Sequence, residues 1–162
     1  MIVVSDTSPL SNLAIVEHLW LLRQLYTTVI IPQAVANELA SAGDEDQRVT
    51  DVLFLDWVEI REVTNLELVA ELRQRNLDLG EAEAITLTVE LQADELLIDE
   101  RLGRREATQL GLPIVGILGV LLVAKQRGLI PAVQPVMNAL ISEAGFRVSS
   151  QLYTDILSAA GE

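Results

Sequence analysis

Short β-branched and leucine-rich runs alternate along this chain with longer stretches whose apolar positions recur at helical spacing. Ile2-Val3-Val4 reads as a strand that ends at Ser5-Asp6-Thr7-Ser8-Pro9, where Ser8 is suited to N-cap a helix with Pro9 at its first position. Leu10, Leu13 and Ala14 give that helix an apolar face, and residues 18–25 form a second apolar segment. Val29-Ile30-Ile31 predicts the next strand, and Pro32 opens a helix that runs through Leu39. Residues 42–51 are polar and predict a loop and a helix start, whereas Trp57-Val58-Glu59-Ile60-Arg61 alternates like a half-exposed edge strand. Beyond it the pattern predicts a helix over 66–75, a break at Leu77-Asp78-Leu79-Gly80, and a long helix from Glu81 to Gln92. Leu96-Leu97-Ile98 is a buried-strand run ending in Asp99, and Ile114-Val115 a further strand. Helices over 104–110 and 117–127 are closed by Gly111 and Gly128. Strands that alternate with helices need crossover connections, so the fold class is α/β with a mainly parallel sheet covered on both faces.

The tail, residues 129–162, predicts two more amphipathic helices over 135–144 and 150–159, with no linker composition before them. At 162 residues, half of them hydrophobic, the chain is expected to form a single domain spanning 1–162, with 129–162 as a C-terminal helical extension packed on it. Its apolar runs are too short to span a bilayer, and the first residues lack the basic segment and cleavage site of a signal peptide. A soluble cytoplasmic protein is the expectation. The absence of cysteine excludes disulfides, thiolate metal sites and cysteine nucleophiles, and a Ser-His-Asp triad would have to use the lone His18. Any metal chemistry must use oxygen ligands. With 11 basic against 24 acidic residues the net charge is −13, a field that repels nucleic acid unless a local basic strip or a bound cation offsets it.

Ligands of open parallel sheets bind beyond the carboxyl ends of the strands, which singles out Asp6 and Asp99. Glu81 sits amid the apolar stripe of its helix, near Ala84, Ile85 and Thr88, while Glu83 and Glu90 fall on the opposite face. A carboxylate directed at a core is costly unless neutralised, hydrogen-bonded or bound to a cation. The competing reading is an ordinary first-turn acid favoured by the helix dipole. Glu38 flanks the apolar side of its helix, a position equally compatible with a solvated face. Together Asp6, Glu38, Glu81 and Asp99 would form an all-oxygen site suited to Mg²⁺ or Mn²⁺. Such an ion can activate water and neutralise a leaving oxygen, so phosphodiester hydrolysis is the matching chemistry.

Asp6-Thr7-Ser8-Pro9-Leu10 after a first strand, Ile31-Pro32 with Glu38 in the next helix, Leu79-Gly80-Glu81-Ala82-Glu83-Ala84-Ile85, and Leu97-Ile98-Asp99-Glu100 resemble, in that order, the PIN-domain superfamily. The resemblance is greatest to PIN-like proteins near the VapC-type toxins. It covers about residues 1–122, and Gly116-Ile117-Leu118-Gly119 and Gly145-Phe146-Arg147-Val148-Ser149 in the tail are similar as well. It implies a three-layer α/β/α sandwich and a Mg²⁺- or Mn²⁺-dependent ribonuclease, with Asp6, Glu38, Glu81 and Asp99 as the four catalytic and metal-binding acids. Many PIN domains carry Asp at the third position, so the Glu here leaves Glu81 and Glu83 as alternatives, with periodicity favouring Glu81. Ser8 matches a small hydroxyl residue near the first acid, besides its capping role. The implied partners are an RNA substrate, an antitoxin protein and a second copy in a homodimer.

Glu100 is a further acid beside the site, left outside the ligand set. Arg101, Arg104 and Arg105 form the densest basic patch, suited to an RNA backbone or an antitoxin's acids, or else to ion pairs with Glu106 on a solvated helix face. His18 reads as a packing or surface residue, and Trp20 and Trp57 as core or interface aromatics. Two other readings compete: a catalytically weak or inactive PIN-like protein-binding module, and a receiver-like phosphoacceptor. The second expects a lysine after a late strand, whereas the lone Lys125 falls inside a predicted helix.

Overall fold

The computed structural model describes residues 1–42 and 45–162. Five strands, β1 (Val3–Ser5), β2 (Val29–Pro32), β3 (Val58–Arg61), β4 (Glu95–Leu97) and β5 (Ile114–Val115), form one sheet in the order β3-β2-β1-β4-β5. Every pairing is parallel, with Val4 opposite Ile30 on one side and Leu96 on the other. From β1 the chain builds outward to β2 and β3, then returns to the other side of β1 for β4 and β5. The order therefore reverses between β1 and β4, the point at which open α/β sheets leave a crevice beyond their carboxyl ends.

The pleat sends successive strand residues to opposite faces, and the two faces bury separate clusters. Val3, Val29, Ile31 and Leu97 pack under α1 (Thr7–Ile15), α2 (Trp20–Tyr26), α3 (Gln33–Ser41) and the later helices α8 (Ile117–Gln126) and α9 (Gln134–Glu143). Val4, Ile30, Leu96 and Ile98 pack under α5 (Leu66–Gln74), α6 (Leu79–Leu91) and α7 (Arg101–Gln109). The result is the three-layer α/β/α sandwich. Full burial of each Leu, Ile or Val side chain contributes about 1.5–3 kcal/mol, which is why strands of two to four residues suffice at its centre. A short helix α4 (Gln47–Thr50), a 3-10 turn (Asp51–Phe54) and a terminal helix α10 (Ser150–Ala159) complete the chain. The residues of α9 contribute to the first cluster, whereas α10 has no fully buried residue. It is fastened by the Lys125 ammonium, which donates to the Ala160 carbonyl at 2.6 Å, and by Glu162, which accepts from the Val133 amide at 2.7 Å.

Several boundaries differ from the sequence-based expectation. Ser8 is not a cap: α1 starts at Thr7 with Asp6 at the N-cap position, because β1 passes directly into the helix. The break expected at Leu77-Asp78-Leu79-Gly80 is instead the start of α6, since the Asp78 carboxylate accepts the Glu81 amide at 2.8 Å and begins the helix two residues early. Likewise α7 starts at Arg101, three residues before the predicted position. Trp57 is buried and Trp20 is largely exposed, its ring centroid 6.2 Å from that of His18. The edge position of β3 agrees with its alternating pattern. The loop expected over 42–51 includes residues 43 and 44, which lie outside the described residues.

Candidate functional site

At the switch point an acidic cleft of about 400 Å³ opens beyond β1. Asp6, Glu38 and Glu81 line it, together with Asp78 and Glu100. Asp6 owes its place to the strand-to-helix junction, where its amide still donates to the Leu97 carbonyl at 2.9 Å as though the β1–β4 ladder continued. Glu38 reaches over from α3, its carboxylate accepting from the Thr7 hydroxyl. It also lies against the backbone of α6, where a Cβ on Gly80 would come within 2.5 Å of its Oε1. Glycine at position 80 thus makes room for Glu38. Glu81 occupies the third position of α6, and its Oε2 approaches α7 so closely that a Cβ on Gly103 would sit 3.1 Å away.

Asp6 and Glu81 are buried, and the acids of the cleft repel one another. Burial is the main cause that raises the Asp6 pKa from 3.8 to about 7; the Thr7 amide opposes it, and the charges of Asp78, Glu38 and Glu100 add to it. Glu81 rises from 4.5 to about 8, first through burial, then through the hydrogen bond and charge of Asp78, with smaller contributions from Asp6 and Glu100. Close carboxylates in low dielectric resist simultaneous ionisation. Either protons or a cation must relieve the cluster near neutral pH.

Asp99 lies elsewhere. It lines an adjoining groove of about 1180 Å³ between α7, β5, α8 and the C-terminal extension, and its Oδ1 accepts the Ile117 amide at 3.0 Å at the start of α8. Burial raises its pKa from 3.8 to about 6, opposed by the Ile117 amide and by Arg104, while Glu100 pushes it further up. Among the described residues its buried Oδ2 has no hydrogen-bond partner, and neither does the buried hydroxyl of Ser8. Ser8 and Glu100 border both the groove and the cleft, so the two adjoin. Arg101, Arg104 and Arg147 face the groove. None of these three, nor Arg105, forms an ion pair among the described residues; Glu106 pairs with Arg75 at 3.1 Å instead.

The structure thus brings together three of the four acids singled out in the sequence and leaves Asp99 on the neighbouring groove. It also separates Glu81 from Glu83, whose carboxylate accepts the Ala34 amide at 3.0 Å near the start of α3. Sequence reasoning missed Asp78 and the link from Thr7 to Glu38. The Asp78-x-x-Glu81 spacing could have revealed the former, since an N-cap acid followed three residues later by Glu marks a helix start. The donor set is wholly carboxylate and hydroxyl oxygen, which fits a hard divalent cation, and the raised pKa values show the electrostatic demand for one. Among the described residues, however, no three acidic side chains are arranged to hold an ion as they stand.

An all-parallel sheet between two helical layers, with acids gathered at its switch point, defines an α/β protein built to bind a ligand beyond the strand ends. A family model described as a PIN domain matches residues 2–162, and the chain belongs to that family. PIN domains are typically nucleases that use divalent metals, which supports a hydrolase at that coarse level. No curated protein matches the chain. No helix among the described residues is long and apolar enough to cross a membrane.

Proposed function

We propose that this protein is a Mg²⁺- or Mn²⁺-dependent ribonuclease that hydrolyses RNA phosphodiesters at the acidic cleft. The observation that carries the reading is the convergence of Asp6, Glu38 and Glu81 from three separate segments on one cleft beyond β1, with Asp78 and Glu100 beside them. Asp6, Glu38 and Glu81 would hold the cation, with the free Oδ2 of Asp99 as a further donor from the adjoining groove. Bound there, a divalent ion supplies Lewis acidity that polarises a phosphoryl oxygen and lowers the pKa of a water. The chain's own residues prepare the site. Thr7 holds the Glu38 carboxylate by its hydroxyl, and Asp78 fixes the first turn of α6 from which Glu81 projects. Ser8, unpartnered and on the border of cleft and groove, can donate to a phosphate oxygen. Arg101, Arg104 and Arg147 offset locally a net charge that otherwise repels the substrate.

The test is cleavage of RNA by the purified protein with Mn²⁺, alongside Asp6→Asn and Asp99→Asn. Loss of cleavage in Asp6→Asn supports the site, and equal cleavage by all three proteins rejects it. A second reading, a PIN-like binding module without catalysis, is favoured by the lack, among the described residues, of a ready-made ion cage. Calorimetry separates the two: Mn²⁺ binding that Asp6→Asn abolishes supports the nuclease, and a stable partner complex with no Mn²⁺ binding supports the module. The chain is further proposed as the toxin of a toxin–antitoxin pair, on the resemblance of its motifs. Growth arrest on induction, relieved by Asp6→Asn and by co-expression of a neighbouring open reading frame, is the expected outcome, and unaffected growth the contrary one.

A further inference from the structure

The groove beside the acidic cleft combines two features that the catalytic acids do not require. Its charged wall carries Arg101, Arg104 and Arg147, none of them in an ion pair among the described residues, in a protein of net charge −13. Its apolar wall carries Phe146 from the C-terminal extension, with Leu152 and Ile156 of α10 alongside. The ring is held by a stiff turn. Gly145 adopts φ 68°, the left-handed conformation that ends a helix, and the Phe146 amide donates to the Leu140 carbonyl at 3.0 Å. Phe146 is half-buried against the core and still borders the groove. Arg147 follows directly and is exposed.

We infer that this groove is a nucleotide subsite, in which Phe146 stacks on an unpaired base of single-stranded RNA while Arg147 and Arg101 hold the adjoining phosphates. The inference rests on the nuclease reading and adds to it the residues that grip a base and its adjoining phosphates. A double helix keeps its base faces stacked on one another and cannot offer one to Phe146, whereas an unpaired strand can. An acidic peptide would also satisfy the arginines, but the groove lies beside the carboxylates of the cleft, which favours a strand whose phosphodiesters are to be delivered there. Because Ser8 and Glu100 border both spaces, a strand lying in the groove leads directly to the acids of the cleft. The C-terminal extension, on this view, supplies substrate grip and the α/β sandwich supplies the acids.

The test measures anisotropy of a fluorescein-labelled oligouridine with the full chain in EDTA at low salt, against an oligomer of the same length whose sugars lack bases. Phe146→Leu, which keeps apolar packing, is expected to weaken binding of oligouridine roughly tenfold and leave the abasic oligomer unchanged. Arg147→Gln is expected to weaken both. Phe146→Trp keeps a stacking face, and its added indole emission is expected to be quenched by oligouridine and not by the abasic strand; this variant decides the matter if Phe146→Leu melts early. Equal effects of Phe146→Leu on the two oligomers, or wild-type affinities that ignore the bases, overturn the subsite. If the wild type cleaves RNA with Mn²⁺ while Phe146→Leu leaves KM and kcat untouched, the subsite alone fails. If the wild type neither binds nor cleaves RNA, both readings fall.

Discussion

Replacing Asp6 by Asn should stabilise the metal-free protein at alkaline pH. The folded-state pKa of Asp6, about 7, lies above its unfolded value of 3.8, so the native state binds the extra proton between those limits. Stability therefore declines as pH rises from about 4 to about 7, and the whole cost is present above that range. A shift of about 3 units corresponds to about 4 kcal/mol as an upper bound, of which relaxation and water entry leave roughly 1–2 kcal/mol. Asparagine keeps the shape and an acceptor for the Thr7 amide but never ionises. For a domain of this size the gain translates into roughly 2–8 °C in Tm. The assay is thermal unfolding followed by circular dichroism in EDTA at pH 4 and pH 8.5, for wild type and Asp6→Asn. The expected gap is large at pH 8.5 and near zero at pH 4. Mn²⁺ at about a hundred times its Kd should then raise the wild-type stability at pH 8.5 by about 2.7 kcal/mol and leave the variant unmoved. A variant that is no more stable than wild type at pH 8.5, or a gap independent of pH, refutes the account of Asp6 as a buried carboxylate kept ionised at a cost to the fold.

Gly80→Ala should retain or raise stability by up to about 1 kcal/mol, because alanine is the better helix residue, yet it should reduce cleavage, since its Cβ falls 2.5 Å from Glu38 Oε1 and displaces that carboxylate; melting and activity measured on one preparation check both halves. Glu81→Gln should abolish Mn²⁺-dependent cleavage while Glu83→Gln, whose amide oxygen can still accept the Ala34 N–H, keeps it, and the opposite ranking would reassign the third acid. Asp78→Ala should lower stability by about 1 kcal/mol through loss of the helix cap, whereas Asp78→Asn retains the cap and lowers cleavage about 10–100-fold, as removal of a supporting charge does at metal sites. Equal melting temperatures for Asp78→Ala and Asp78→Asn would show that the cap bond contributes little.

What was legible in the sequence was whatever rests on local periodicity. The strand runs at Val3-Val4, Val29-Ile30-Ile31 and Ile114-Val115 and the helix at 150–159 carry their signals within a few residues. Asp6 was visible as an acid at a strand end and Glu81 as one amid the apolar stripe of its helix, and they are 4 % and 8 % exposed. The rest depends on contacts between distant segments. The pattern of its helix left Glu38 equally compatible with a solvated face, and what fixes its place are the distant partners Thr7, before it in the chain, and Gly80, beyond α4 and β3. Asp99 shows the limit of the strand-end rule. The rule places it at the correct end of the sheet, but the amide of Ile117, 18 residues on, turns its carboxylate toward the groove.

The same geometry explains why carboxylates from distant segments gather in one cleft. Reversal of strand order between β1 and β4 opens one crevice, and acids reach it from local junctions: Asp6 at the N-cap position of α1 and Glu100 at that of α7, each after a strand, and Asp78 at that of α6, after α5. Carboxylates suit these positions because the positive ends of helices favour them. Convergence is thus a product of topology, and Asp6 and Glu81, whose pKa values are raised first by burial and then by their acidic neighbours, bear its cost. A site that is stable only when protonated or occupied has its activity and its instability in the same residues. The substitutions that most improve the fold of the metal-free protein are therefore those that should silence it.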